Sequence, residues 1–288
     1  MDKILVTGAS GILGSAVIQR LLQKISPQQI HVLSRNEEKL IEMQSKGFNA
    51  FRGDYDDTDS LEQAMIGVDT VLLISAGDEG DRMKQHRNVI DTAKKVGVQN
   101  IAYTSRCLRD RTSLVNTLMQ DHFDTEDYIK ETGMNYTIFR NILYMDVIPL
   151  FVGKQVFETG IFQPAGEGKV SFALRKEMGE AMGNVLLNEP FQNKSYRFTG
   201  TQAYSFYDVA AILSELSGKE VKYTPVEASD FEKMMLEKGL PASMVKKIVG
   251  FNTDIKNNQE SETTNDLEIH LGRKPASLKA GLKLLFDL

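Results

Sequence analysis

The run Thr7-Gly8-Ala9-Ser10-Gly11-Ile12-Leu13-Gly14 sets a glycine at every third position directly after the apolar stretch Ile4-Leu5-Val6. A strand that ends in such a turn and opens onto a helix brings backbone very close to whatever lies above it. The helix adds free N–H groups and the positive end of its dipole, which together suit a pyrophosphate. Each glycine has a physical reason in this reading: Gly8 can take φ > 0 in the turn, Gly11 adds no Cβ where a ligand lies, and Gly14 lets helix and strand pack closely. The spacing is G-x-x-G-x-x-G, a variant of the usual G-x-G-x-x-G. Three glycines can also mark a plain loop. Their place between an N-terminal strand and a helix favours nucleotide binding, with Gly8, Ala9, Ser10, Gly11, Ile12, Leu13 and Gly14 as the cradle.

The elements that must position this turn follow from the apolar periodicity. Strands are expected at Lys3–Thr7, Ile30–Ser34, Asn49–Arg52, Thr70–Ser75, Ile101–Thr104 and Tyr136–Arg140. Amphipathic helices are expected at Leu13–Lys24, Glu37–Lys46, Ser60–Ile66, Arg82–Val96 and Phe123–Glu131. Runs such as Val71-Leu72-Leu73-Ile74 are apolar without alternation, as in a strand covered by helices on both faces. Repeated βα alternation implies right-handed crossovers and a doubly wound parallel sheet, which binds ligands at the carboxyl ends of its strands. Residues 1–145 are assigned to this sheet.

Past residue 145 the alternation breaks down, and residues 146–288 are read as a smaller mixed α/β substrate lobe, partly interleaved with the sheet. Helices are expected at Lys176–Leu187, Tyr207–Ser217, Ser229–Lys238, Ala242–Val249 and Leu278–Phe286. Short strands are expected near Val156–Phe162, Tyr196–Thr199 and Val221–Thr224, and the polar stretch Thr253–Asn265 reads as an exposed loop. No internal repeat is visible.

Function should then lie just after each strand. After the second, Arg35 stands where, about 20 residues beyond the glycine turn, NAD-type folds carry a carboxylate for the ribose hydroxyls. A carboxylate would repel a 2′-phosphate, whereas a guanidinium pairs with it, so Arg35 favours NADP unless it is a solvated arginine paired with Glu37 or Glu38. After the third, Asp54 is either an acceptor for the exocyclic amine of adenine or a turn and N-cap residue. After the fourth, Ser75-Ala76-Gly77 are small enough for close approach. After the fifth, Thr104 and Ser105 place hydroxyls near the expected nicotinamide. After the sixth, Asn141, Ile142, Leu143 and Tyr144 should follow the reactive end of the cofactor.

One arrangement is missing. Many dehydrogenases protonate a carbonyl oxygen with Tyr-x-x-x-Lys, the lysine lowering the tyrosine pKa. This chain has 9 tyrosines, and none is followed by Lys four residues later. Reduction of an ordinary ketone leaves an alkoxide that needs an acid in place. A quinone or a cationic conjugated dye gives a stabilised product that needs much less help. His122, one turn from Glu126 on its helix, is the candidate proton donor, or a packing and hydrogen-bonding residue instead. Tyr144 either stacks on the acceptor or is an ordinary half-buried tyrosine.

Composition narrows the partners. With 34 basic and 39 acidic residues interspersed, the net charge of −5 does not suit nucleic acid. No apolar stretch approaches the roughly 20 residues of a membrane span. Met1-Asp2-Lys3 runs straight into the first strand, which leaves no room for a signal peptide. The single cysteine, Cys107, excludes an internal disulfide and reads as a small apolar residue, and the 4 histidines have no metal-ligand spacing. A soluble cytoplasmic protein without a metal is expected, acting on an aromatic or quinone-like small molecule.

The opening T-G-A-S-G-x-L-G, Arg35, Leu73-Ile74-Ser75, Gln85-His86-Arg87-Asn88, Ala102-Tyr103-Thr104-Ser105 and Arg140-Asn141 together resemble the NmrA-like atypical short-chain dehydrogenases. Within them the pattern is similar to the NAD(P)H:quinone oxidoreductase and triphenylmethane reductase branch, along nearly the whole chain. The resemblance implies a Rossmann-type fold, NADP(H), and reduction of quinones or similar electron-poor acceptors. It also implies cofactor contacts at Gly8–Gly14, Arg35, Ser75–Gly77 and Asn141–Tyr144. That branch likewise lacks the Tyr–Lys pair. Ile142-Leu143 stands where relatives often have glycine and an aromatic residue, which bears on the acceptor. Two readings follow: an NADPH-dependent reductase, or a non-enzymatic NADP(H) sensor of the NmrA type.

Overall fold

Strand positions in the first half come from apolar runs too short for a helix and flanked by glycine or polar turns. The computed structural model describes residues 3–77, 80–114, 116, 119–153 and 155–288; Met1 and Asp2, on which the reading of a missing leader rests, lie outside them. In chain order the first half forms β1 (Ile4–Val6), α1 (Ile12–Leu21), β2 (Ile30–Ser34), α2 (Glu37–Ser45), β3 (Asn49–Arg52), α3 (Thr58–Met65), β4 (Thr70–Leu73) and α4 (Arg82–Lys95). It continues with β5 (Asn100–Arg106), α5 (Gln120–Glu131) and β6 (Asn135–Asn141). The second half forms α6 (Ile148–Val152), α7 (Val156–Thr159), β7 (Ile161–Gln163), β8 (Lys169–Val170), α8 (Arg175–Asn188), β9 (Lys194–Phe198) and β10 (Tyr204–Ser205). It ends with α9 (Phe206–Ser217), β11 (Tyr223–Pro225), α10 (Ala228–Glu237), α11 (Ala242–Lys256), α12 (Asp266–Leu271) and α13 (Leu278–Leu285).

Seven strands form one sheet in the order β3-β2-β1-β4-β5-β6-β9, and the first six pair in parallel. The order reverses between β1 and β4, the position where doubly wound sheets bind dinucleotides. β1 and β4 are buried along their whole length, as their unalternating apolar sequence requires. One hydrophobic cluster fills one face of the sheet, from Leu5 and Val71 to Leu61, Met65, Ile90 and Tyr103.

The chain divides into two units, and the division is not a single cut at 145/146. Residues 1–106, 121–141 and 175–197 form the first, and 107–120, 142–174 and 198–288 form the second. The helix expected at Lys176–Leu187 and the strand expected at Tyr196–Thr199 therefore fall with the Rossmann sheet, as α8 and β9. Two local expectations are corrected in the second unit. Val156–Phe162 is not one strand: a single helical turn, α7, ends at Gly160 (φ +78), and β7 follows. Thr253–Asn265 is not a solvated loop, because α11 runs on to Lys256 and Asp254, Gln259 and Glu260 are buried. Polar composition misleads there because these side chains are held by hydrogen bonds: Asn116 donates to the Asp254 carboxylate at 3.0 Å, and Leu143 N–H to Glu260 at 3.2 Å.

α1, which carries the glycine turn, is seated by α8 through backbone contact. A Cβ on Gly179 would stand 2.6 Å from the Ala16 Cβ and 2.7 Å from the Leu13 carbonyl oxygen, and one on Gly183 would stand 2.6 Å from the Arg20 Cβ. Arg20 also donates to the Asn184 side chain. In an exposed helix, glycine to alanine gains up to about 1 kcal/mol. At Gly179 the sign reverses, because the nearest neighbours of the new carbon are backbone atoms and a Cβ that no rotamer can move. Gly179→Ala is expected to lose about 1–3 kcal/mol of stability in urea denaturation; a variant as stable as the parent would show that α1 and α8 are not in contact.

Candidate cofactor site

The glycine turn follows β1 as its sequence demands. Gly8 sits at φ +60, and Gly11 N–H donates to the Gly8 carbonyl at 3.1 Å, closing the turn. A Cβ on Gly14 would lie 2.4 Å from that same carbonyl oxygen, so this glycine is the close packing point between turn and helix. A Cβ on Gly11 would stand in ordinary contact, 3.4 Å, with the Gly8 carbonyl oxygen, and Gly11 itself is exposed to solvent. Gly8, Ser10, Gly11 and Ile12 face solvent, while Ala9, Leu13 and Gly14 are buried. No side chain caps α1, whereas Asn36, Asp57 and Asp81 cap α2, α3 and α4. Its first N–H groups and dipole are left for an anion, the arrangement a pyrophosphate fits.

Beyond Leu73 the β4 ladder ends, and side chains take over its backbone groups. Thr7 N–H and hydroxyl both donate to the Leu72 carbonyl at 3.1 Å, and Ile74 N–H donates to the Thr7 hydroxyl oxygen at 2.9 Å. The Ile74 carbonyl accepts from the Tyr55 hydroxyl at 2.8 Å. Ser75 N–H donates to the Thr104 hydroxyl oxygen at 2.8 Å, and Ala76 N–H to His86 Nε2 at 2.9 Å. Ser75 and Ala76 are thus fixed from beneath and partly exposed above, and Gly77 beyond them is exposed.

Arg35 and Asp54, from the ends of β2 and β3, are brought together: the guanidinium lies 3.6 Å from the carboxylate, and both remain solvent-accessible. Arg35 thus has Asp54 beside it, where the sequence offered Glu37 or Glu38. A second Asp54 oxygen accepts the Asp56 N–H at 2.9 Å, the turn contact that was its alternative role.

Thr104 and Ser105 are almost fully buried, and their hydroxyls turn inward. Thr104 accepts from Ser75, and Ser105 donates to Glu126 at 2.6 Å. Both hydroxyls, expected near the nicotinamide, are engaged with protein groups at the strand ends. Glu126 is fully buried and is gripped by Arg140 through two charge-assisted bonds of 2.9 and 2.6 Å. His122, one turn earlier on α5, is also buried and shares a 3.0 Å hydrogen bond with the Tyr103 hydroxyl through Nδ1. Burial, with Arg82 and Arg106 adding to it, holds the His122 pKa well below its ordinary value. This surrounding suits the hydrogen-bonding role left open beside that of proton donor.

Asn141, at the end of β6, is fully buried. Ile142, Leu143 and Tyr144 belong to the second unit, where Ile142 N–H donates to the Phe198 carbonyl at 3.0 Å and Tyr144 bridges Ala173. Ile142 and Leu143 are buried, and Tyr144 is half-exposed.

Sequence reasoning missed His86, Tyr55 and Asn88 as supports of the strand ends. Asn88 donates to the Tyr55 carbonyl at 2.9 Å and Gln85 to Asp56 at 2.8 Å, so one polar face of α4 anchors the loops after β3 and β4. The available signal was polar residues at inward positions of an amphipathic helix. Among the described residues no helix is long and apolar enough to cross a membrane, and no group of three His, Cys, Asp or Glu could hold a metal ion.

A doubly wound sheet with a glycine turn at its reversal point defines a dinucleotide-binding protein. The chain belongs to the NmrA-like family, whose model matches residues 1–283. It is 32% identical over 286 residues to quinone oxidoreductase 2 of Escherichia coli K12, covering 99% of each chain. The crystal structure of that quinone oxidoreductase with NADPH aligns with a TM-score of 0.92 at 30% identity, covering 98% of this chain and 99% of that one. Triphenylmethane reductase of Citrobacter sp. with NADP(H) aligns with a TM-score of 0.90 at 33% identity, covering 98% and 99%.

Burial also depresses the His86 pKa, to about 3, with the Arg82 cation adding to it, and lowers that of His31. Near pH 6.5 the unfolded chain takes up a proton at each such site while the folded chain does not. Stability is therefore full above pH 6.5 and falls as the pH drops. His86 alone contributes up to about 1.4 kcal/mol per pH unit in this range. Urea midpoints at pH 7.5 and 5.5 are expected to differ less in His86→Gln than in the parent; an equal difference would show that His86 titrates normally.

Proposed function

We propose that the chain is an NADPH-dependent reductase of quinones or similarly electron-poor conjugated acceptors, working without a Tyr–Lys pair. It is an oxidoreductase that uses NADP(H). The observation that carries the reading is the solvent-exposed glycine turn at the sheet reversal, opening onto the uncapped start of α1, beside an exposed arginine at the end of β2. The named activities of its relatives support the acceptor class: the quinone and triphenylmethane reductases above, and an NAD(P)H azoreductase of Xenophilus azovorans at 28% identity.

NADPH, when bound, supplies the hydride. The chain's own residues bind and orient. The uncapped start of α1 and the Gly8–Gly14 turn receive the pyrophosphate, and Arg35 reads the 2′-phosphate. Asp54 holds that guanidinium in place and gives way to the phosphate or shares it. Ser75–Gly77 form a wall against the dinucleotide, and the segment Asn141–Tyr144 is assigned to its reactive end, with Tyr144 against a flat acceptor. Because the reduced acceptor spreads its charge over a conjugated frame, water suffices as proton source and no buried acid is required. His122 is assigned a supporting place.

Steady-state oxidation of NADPH against a panel of quinones is expected to show turnover, while simple ketones show none. Tight NADPH binding with no turnover on any acceptor would overturn the reductase in favour of a sensor. Arg35→Ala is expected to lose about tenfold in preference for NADPH over NADH, the size of a charge-assisted phosphate contact at an accessible site. An unchanged ratio of kcat/KM for the two cofactors would remove Arg35 from that role.

A further inference from the structure

Three consecutive backbone N–H groups after β4 donate to side chains from three different elements. Ile74 donates to Thr7 at the end of β1, Ser75 to Thr104 on β5, and Ala76 to His86 on α4. The first two acceptors are hydroxyls, which accept whichever way their own proton points. The third is an imidazole, and an imidazole accepts at Nε2 only in the neutral form that carries its proton on Nδ1. What fixes that proton is visible. His86 Nδ1 lies 2.8 Å from the Thr125 Oγ1, and Thr125 donates its single proton to the Asp121 carbonyl at 2.7 Å, one turn back on α5. The threonine oxygen can then only accept from His86, so the ring carries its proton on Nδ1 and offers Nε2 to Ala76. His86 is fully buried, the Tyr103 ring stands edge-on at 5.4 Å, and the Arg82 cation opposes a second proton.

We propose that His86 is a positioning residue for the cofactor: locked in its Nδ1–H tautomer by Thr125, it holds the Ala76 N–H and so sets the wall formed by Ser75-Ala76-Gly77 against which NADPH binds. The role rests on the NADPH site proposed above. Among the three N–H contacts this one alone depends on a proton's location. Loss of the acceptor, or of the threonine that directs it, leaves the part-buried Ala76 N–H without its bond, and the segment shifts to find another. The effect falls on cofactor affinity, because His86 and Thr125 lie beneath the segment.

The test uses the full chain and compares His86→Phe, His86→Gln, Thr125→Val and Thr125→Ser. The readouts are NADPH Kd by nicotinamide fluorescence, and kcat and KM for NADPH and for 1,4-naphthoquinone. His86→Phe and Thr125→Val are expected to raise the Kd and KM for NADPH about tenfold, the size of one unmet hydrogen bond. Their kcat at saturation and their KM for the quinone should stay within about twofold of the parent. His86→Gln, whose amide oxygen can replace Nε2, and Thr125→Ser, which keeps the hydroxyl, should stay close to the parent. A merely structural role would lower Tm without this split between KM and kcat and without rescue. Should His86→Phe not fold, Thr125→Val and the tautomer carry the test. In histidine-15N-labelled protein without cofactor, His86 is expected to show the Nδ1–H signature in the parent and to lose it in Thr125→Val. An Nε2–H tautomer in the parent, or a folded His86→Phe with unchanged NADPH Kd, would overturn the proposal. Failure of the functional reading looks different, since the parent itself would then either bind no NADPH or bind it and leave 1,4-naphthoquinone unreduced.

Discussion

Where Gly14 would carry a Cβ, the carbonyl oxygen of Gly8 already stands, 2.4 Å from the missing carbon. The first turn of α1 is gripped on its other flank, where Gly179 of α8 leaves room for the Leu13 carbonyl. Backbone therefore meets backbone on two sides of one helical turn. Side chains at such contacts would settle into rotamers and allow drift; peptide groups do not. The uncapped N–H groups of α1 inherit that fixity, and an anion site made of N–H groups is only as well placed as the helix that bears them.

The same economy of freedom extends along the sheet. Past the last ladder bond of β4 each inward backbone group is met by a side chain from beneath, so the segment that faces outward needs no side chains of its own to be rigid. It can be small, as Ser75-Ala76-Gly77 is, and small residues are what close approach of a flat ligand demands. The supporting polar groups lie in a medium where an unmet bond is costly, and burial keeps His86 and His122 neutral there. Charge is confined to compensated places: Glu126 with Arg140 inside, Arg35 with Asp54 at the rim. The rim pair is the accessible one, and that is where an incoming phosphate group would have to compete.

Much of the sheet was legible in the residues. β2 and β3 fall at the expected bounds and the other four early strands differ only at their ends; β1 and β4, buried along their whole length, advertise themselves by unbroken hydrophobicity, while the half-exposed edge strand β3 is marked by the turns around it. The glycine turn was readable because its residues act through what they lack. Arg35 was legible as a position, but its neighbour was not: Asp54 arrives from the end of the next strand, a contact that register creates and sequence distance hides. Thr104 and Ser105 were placed at the right strand end, yet which way a hydroxyl turns depends on Ser75 and Glu126, which only the folded sheet brings near. The second half resisted because α7 is a single turn, and because buried Asn252, Asp254 and Glu260 look in sequence like solvent-facing residues.

The seating of α1 on α8 has a consequence for how the protein comes into being. α1 is made before α8, which follows only after residues 142–174 of the other unit. During synthesis the strands β1 to β6 are therefore made before the helix against which the glycine turn is seated. A fragment ending at β6 would carry every glycine of the turn and still lack the surface against which α1 is seated.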